Sequence, residues 1–314
     1  MFFASDIHGS ERCFKKFINI PKFYGATVLI LAGDLTGKAV IPIVKRRNST
    51  WESYLFGVKH VAKSEEELKK LVDTIGSSGF YPYCTDSRKL EELDCVDLNI
   101  NLLFEKLALE RLGHWIELAR EKFCGSDVKC FISPGNDDIL LCDQVLKERQ
   151  DETVIYSEGQ SLFIDEEHEM ITIGWSNKTP WNSPRETTET ELAKMIGKLS
   201  GNILEKKKSI FNIHVPPINS GLDVTARLNG DLKPVTLSGH VEMIAAGSTA
   251  VREAIEKYEP ILGLHGHIHE SPGFYKLGRT LCLNPGSEYT EGILRGVLVE
   301  MDSTKIRSYQ ITSG

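Results

Sequence analysis

Five short, widely separated segments of this chain carry side chains able to hold divalent cations. They are Asp6-Ile7-His8, Gly33-Asp34, Gly135-Asn136-Asp137-Asp138, the lone His214, and Gly266-His267-Ile268-His269. Two divalent ions about 3.5–4 Å apart can clamp a phosphoryl group and generate hydroxide from water. Such a centre needs oxygen and imidazole donors and one carboxylate that bridges the ions, a mixture suited to Mn, Fe, Co, Ni or Zn. Asp6 and His8 are two residues apart and can turn toward one ion, as can His267 and His269. Gly33 permits a tight turn and close approach before Asp34.

The elements that must position these groups are legible as apolar runs. Residues 1–5, 26–32, 128–133, 209–213 and 261–264 each stop at one of the five segments, and helical patterns lie between several of them. Strands alternating with helices predict an α/β sheet core, and open α/β sheets place ligands at the carboxyl ends of strands. Every candidate ligand stands at such an end. Between Gly37 and Val128 lies a long insertion, about 39–127, that reads as a hairpin (residues 40–63) followed by helices over 65–75 and 90–123. It is expected to pack on the core of a single domain spanning 1–314, as a substrate cap or as the interface of a homo-oligomer. Residues 216–237, rich in Gly, Pro, Asn and Asp, read as a surface loop. A helix is predicted over 248–259, with Ser248 as its N-cap.

Bulk properties narrow the classes. A formal charge of −7 weighs against nucleic acid or an anionic membrane as the main partner. Seven cysteines without a C-x-x-C pair suggest reduced thiols, most of them small buried apolar groups. The N-terminal residues lack a basic-then-apolar leader pattern, and no run approaches the roughly 18 apolar residues of a membrane span. A cytoplasmic protein is the expectation.

In order and spacing these segments resemble the calcineurin-like metallophosphoesterases, whose pattern is D-x-H, G-D, G-N-H-[DE], a strand-end His and G-H-x-H. The match runs over almost the full chain. The resemblance implies a four-layer α/β/β/α sandwich with two divalent ions, manganese first among them, and a metal-bridging hydroxide acting in line on phosphorus. It implies that Asp6, His8 and His269 bind one ion, that Asn136, His214 and His267 bind the other, and that Asp34 bridges. His60, His114, His168 and His240 read as surface or packed histidines, and His265 as a satisfied one that is not a ligand.

One departure matters. The family's His after the metal-binding Asn is replaced by Asp137, and the resulting Gly-Asn-Asp-Asp resembles the Icc-related predicted phosphoesterases. An aspartate beside divalent cations stays a carboxylate at neutral pH and donates protons poorly. Losing a positioned general acid forfeits about 10²- to 10⁴-fold in rate. Two divalent ions, two ligand carboxylates and a hydroxide leave a formal charge of about +1, which an ionised Asp137 or Asp138 lowers. Asp34, Asp137 and Asp138 are thus the candidate catalytic residues. The expected substrate is a small, nucleotide-like phosphodiester with a good or strained leaving group. Lys38 reads as a solvated lysine, while Arg227 and the Gly286-Ser287 turn are candidate neighbours of the site. A non-catalytic scaffold of the same fold and a nuclease are the competing readings.

Overall fold

The computed structural model describes residues 1–94 and 97–314, so Cys95 lies outside the described residues. Two six-stranded sheets carry the structure. The first contains β1 (Phe2–Ala4), β2 (Val28–Ala32), β7 (Lys129–Ser133), β8 (Val154–Tyr156), β19 (Arg295–Met301) and β20 (Ile306–Ser313), in the order β20-β19-β1-β2-β7-β8. The second contains β9 (Ser161–Phe163), β10 (Glu169–Ile173), β11 (Ile210–Ile213), β16 (Leu262–Leu264), β17 (Gly273–Leu277) and β18 (Thr280–Asn284), in the order β17-β18-β16-β11-β10-β9. β1, β2, β7 and β8 run parallel, as do β10, β11, β16 and β18.

The two-residue period of the strands sorts their side chains between faces. Phe3, Ile30 and Phe131 of the first sheet meet Met170, Ile210, Leu262 and Leu283 of the second in one buried cluster. Phe2, Leu29, Leu31 and Cys130 point the other way, against α1 (Glu11–Phe17), α5 (Asp97–Phe123) and α6 (Cys142–Arg149). There Phe14 stacks on Trp115 with ring centroids 4.4 Å apart. Ile171, Ile173, Phe211 and Ile213 face α7 (Glu189–Gly201) and α8 (Thr249–Tyr258) in a third cluster. Ser248 caps α8, accepting from the Val251 N–H. Cys13, Cys130, Cys142 and Cys282 are buried, whereas Cys84 and Cys124 are exposed.

The insertion is more than a hairpin with helices. β3 (Val40–Lys45), β4 (Trp51–Leu55), β5 (Val58–Ala62) and β6 (Tyr81–Asp86) form a four-stranded sheet in the order β5-β4-β3-β6, covered by α3 (Glu65–Ser77). Ile43, Leu55, Ala62, Leu71 and Ile75 give it a small core of its own. α4 (Ser87–Asp94) follows, and α5 then returns to the main core, so the long helix belongs to the principal layers. The short α2 (Ile20–Tyr24) follows α1. The segment read as a loop also carries pairing: β12 (Val224–Ala226) pairs with β15 (Met243–Ala245), and β13 (Thr236–Leu237) with β14 (His240–Val241). Its polar, turn-rich composition hides strands only two or three residues long. No helix among the described residues is long and apolar enough to cross a membrane.

Candidate metal centre

All five ligand segments leave the carboxyl ends of parallel strands: Asp6 and His8 after β1, Asp34 after β2, Asn136 after β7, His214 after β11, and His267 and His269 after β16. The loops interlock through the backbone. The Asp6 N–H donates to the Gly33 carbonyl at 3.0 Å, His8 N–H to Asp34 at 2.9 Å, and Gly266 N–H to His214 at 2.9 Å. Asp6, His8, Asp34 and His267 all have positive φ without being glycine. Backbone strain of this kind persists only where surrounding structure imposes it, and it concentrates at functional sites. Gly33 explains its own residue type, since a Cβ there would lie 2.0 Å from His214 Nδ1.

One ligand atom from each of Asp6, His8, Asp34 and His269 falls within a mutual 4.8 Å. His269 Nε2 lies 3.4 Å from Asp6 Oδ1, and His8 Nε2 is 3.6 Å from Asp34 Oδ2. On the other side of Asp34, His214 Nε2 stands 3.6 Å from Asp34 Oδ1 and 3.8 Å from Asp6 Oδ1. His267 Nδ1 sits 2.8 Å from Asn136 Oδ1, its ring 5.3 Å from that of His214. The other six predicted ligands are therefore gathered around Asp34.

The electrostatics describe a buried negative centre. Burial pushes the Asp6 and Asp34 carboxyls up, but His214 and His269 beside Asp6, and His214 and His8 beside Asp34, hold both below the ordinary carboxylate range. Burial opposes charge on His214, yet Asp34 and Asp6 raise it to about 9. Burial and the neighbouring His214 lower His267 to about 4. His8 Nδ1 and both ring nitrogens of His214 are buried without a hydrogen-bond partner among the described residues. Buried polar atoms are ordinarily satisfied, so an unpartnered His214 Nε2 between two buried carboxylates, Asp6 and Asp34, fits a cation site. The imidazole, carboxylate and amide donor set suits borderline divalent metals.

Asp137 and Asp138 part company. Asp138 is fully buried, and its carboxylate accepts from the Leu35, Thr36 and Gly135 N–H groups and from the Thr36 hydroxyl. Its oxygens are engaged in tying the Asp34 loop to the Asn136 turn. Asp137 stays at the mouth, one-third exposed, where Lys38 Nζ pairs with it and the Ser183 hydroxyl donates at 3.4 Å. Its N–H donates to Asp34 Oδ1 at 2.9 Å. Lys38 is thus a partner at the site, not a free solvated lysine, and its charge offsets the one Asp137 was expected to add.

Several neighbours give no signal in the sequence. Arg185, 2% exposed, binds the Asp138 and Ile139 carbonyls and Asp143, and its own N–H donates to the Asn136 carbonyl. Tyr289 lays its ring 4.6 Å from that of His8. The Gly286-Ser287 turn is at the site as expected: Ser287 Oγ donates to the Asp6 carbonyl at 2.6 Å. A cavity of about 300 Å³ opens beside His269, lined also by Glu270, Ser287, Glu288 and Arg295. Arg227 pairs with Glu242 in the exposed hairpin arm. His265 is buried behind the ligands, its Nδ1 donating to the Ile213 carbonyl at 2.8 Å. His60 is half-buried, His114 and His240 are exposed, and His168 is packed against Asp165.

No family model matches the chain. It is 37% identical over 118 residues to an uncharacterised protein, MJ1162, of Methanocaldococcus jannaschii, a match covering 37% of this chain and 46% of that protein. The chain thus spans about half the length of that relative. Among solved structures, TT1561 of Thermus thermophilus is similar in fold, with a TM-score of 0.56 and 13% identity over all of this chain and 96% of that one. A further crystal structure has a TM-score of 0.58 and 16% identity, over 99% of this chain and 97% of its own. Both are likenesses of fold alone.

Proposed function

We propose that this protein is a dinuclear metal-dependent phosphoesterase of the calcineurin-like, Icc-related kind, its layers forming the four-layer α/β/β/α sandwich of a single 1–314 domain. The observation that carries the reading is the convergence of Asp6, His8, Asp34 and His269 within 4.8 Å, with His214 on the far side of Asp34. Asp6, His8 and His269 would hold one ion, Asn136, His214 and His267 the other, and Asp34 both. When bound, such a pair supplies a nucleophile from water and offsets charge on phosphoryl oxygens.

The chain's own residues do the rest. Asp138 and Arg185 hold the loops that present Asp34 and Asn136. Asp137 and Lys38 together add no net charge at the mouth, so charge counting no longer separates a diester from a monoester. The preference for a diester rests instead on Asp137 standing where a donor imidazole would assist the leaving oxygen. A small phosphodiester or nucleotide-like substrate with a good leaving group follows. Manganese and a cytoplasmic setting belong to the same proposal.

The test is metal analysis together with hydrolysis of bis(p-nitrophenyl) phosphate, with and without added Mn²⁺. Two ions per chain and Mn²⁺-dependent turnover are expected. Full metal loading without hydrolysis of any mono- or diester in a panel would leave the scaffold reading standing instead.

A further inference from the structure

We propose that Tyr289 and Lys38 form the anion-contacting side of the site, the phenol hydroxyl and the ammonium donating to non-bridging oxygens of a bound phosphate ester or orthophosphate. The assignment rests on the phosphoesterase reading and deepens it. The phenol is held over the first-ion ligands, its ring 4.6 Å from that of His8 and 6.0 Å from that of His269. The charges of Lys38, Asp137, Asp34 and Asp6 all act on it. Tyr289 is half-buried, and its hydroxyl has no hydrogen-bond partner among the described residues.

The ring has little freedom to turn away. Ser287, two residues earlier, is fixed at both ends, its hydroxyl on the Asp6 carbonyl and its N–H on the His269 carbonyl. From the insertion, Gly79 closes on the other edge. A Cβ there would lie 2.5 Å from the His8 carbonyl oxygen and 2.6 Å from Tyr289 Cε2, and its φ of +85° is itself a glycine conformation. A donor fixed before substrate arrives loses little entropy on binding.

Lys38 supplies the charge. An ammonium has three N–H donors, and only Asp137 takes one among the described residues. Burial disfavours the charged form, but Asp34 and Asp137 outweigh it. A carboxylate alone beside the ions would repel phosphoryl oxygens. Paired with Asp137 at the mouth, Lys38 keeps two N–H donors uncommitted among the described residues. Ammonium and phenol together offer the anion contacts that a histidine after Asn136 would have offered.

The experiment titrates orthophosphate into the Mn²⁺-loaded full chain by calorimetry, beside metal content and diester kinetics. Tyr289→Phe and Lys38→Met are each expected to weaken orthophosphate binding about tenfold, the size of one lost hydrogen bond to a charged group. Two ions should remain, KM should rise more than kcat falls, and Lys38→Arg should restore most of the affinity. Wild-type hydrolysis with unchanged phosphate binding in both variants overturns this assignment alone. Loss of metal in Tyr289→Phe also overturns it, by making the hydroxyl a support for the metal ligands. A wild-type protein that holds two ions but neither binds phosphate nor hydrolyses esters defeats the phosphoesterase reading and this assignment together.

Discussion

The two sides of Asp34 are built differently. Toward Asp6, His8 and His269 the ring nitrogens face one another and a buried carboxylate: His8 Nε2 and His269 Nε2 are 3.1 Å apart, one donating to the other, and His269 Nε2 is 3.4 Å from Asp6 Oδ1. Toward Asn136, His214 and His267 an amide takes the place of the second carboxylate: His267 bonds to the Asn136 amide oxygen, while both His214 ring nitrogens lack a hydrogen-bond partner among the described residues. A cation must displace a hydrogen bond on either side, but the first side offers it two carboxylates, Asp6 and Asp34, where the second offers Asp34 and the neutral Asn136 amide. The first side is therefore expected to bind its ion more tightly, so that metal fills the site in two distinguishable steps.

The strongest way to break this comparison is Asp34→Asn, which removes the group common to both sides. It should abolish paired-ion binding and lower diester turnover by about 10³-fold or more, read from metal stoichiometry and kcat. Next comes the contrast between His267→Ala and His269→Ala. Each is expected to cost about 10²-fold in turnover, but His267→Ala should retain the tighter ion and His269→Ala only the weaker. Equal residual affinities would erase the distinction. Asp138→Ala acts on the frame shared by both sides: with buried N–H donors of Leu35, Thr36 and Gly135 orphaned, folding stability should fall by on the order of 3 kcal/mol in denaturant melts.

The smallest effect sharpens the comparison within one side. In metal-free protein His214 is raised to about 9 and His267 lowered to about 4. The His214 contribution to stability is present below the ordinary histidine value and is lost as pH rises through about 9. The His267 contribution has the opposite sign, stability falling as pH drops from the ordinary value toward 4. Denaturant unfolding from pH 4 to 9 should thus weaken at both ends, and saturating Mn²⁺ should flatten both limbs. A metal-free profile that weakened at neither end would contradict this charge assignment.

How much of this is legible in the sequence follows from what each residue depends on. The ligand segments can be read because each interrupts an apolar run with residue types that have few other reasons to stand there. The insertion's sheet is half visible: Ile41 to Val44 form a recognisable strand, whereas Val58–Ala62 and Tyr81–Asp86 mix Lys, His, Pro and Cys into short edges that gain their pairing only from neighbours. The partners of Asp138 are not legible, because a carboxylate in a ligand motif looks the same whether it faces a cation or, as here, four backbone and hydroxyl donors. Lys38 stands four residues after Asp34 but reads like any solvated lysine, and Tyr289 carries no local signal at all. The place of Tyr289 at the site is created by chain closure, which brings the segment after β18 over the loop after β1.

The register of β2 against β7, from Val28 opposite Lys129 to Ala32 opposite Ser133, makes everything between those adjacent parallel strands a single crossover connection. Closing a longer crossover costs only logarithmically more, so material can be added or removed there without shifting Asp34 relative to Asn136. Gly79, by contrast, rides on that crossover and touches Tyr289. The ligand cluster and the roof above it are in this way independently adjustable: the chain can reshape what fits against the site while the ligands beneath stay in register.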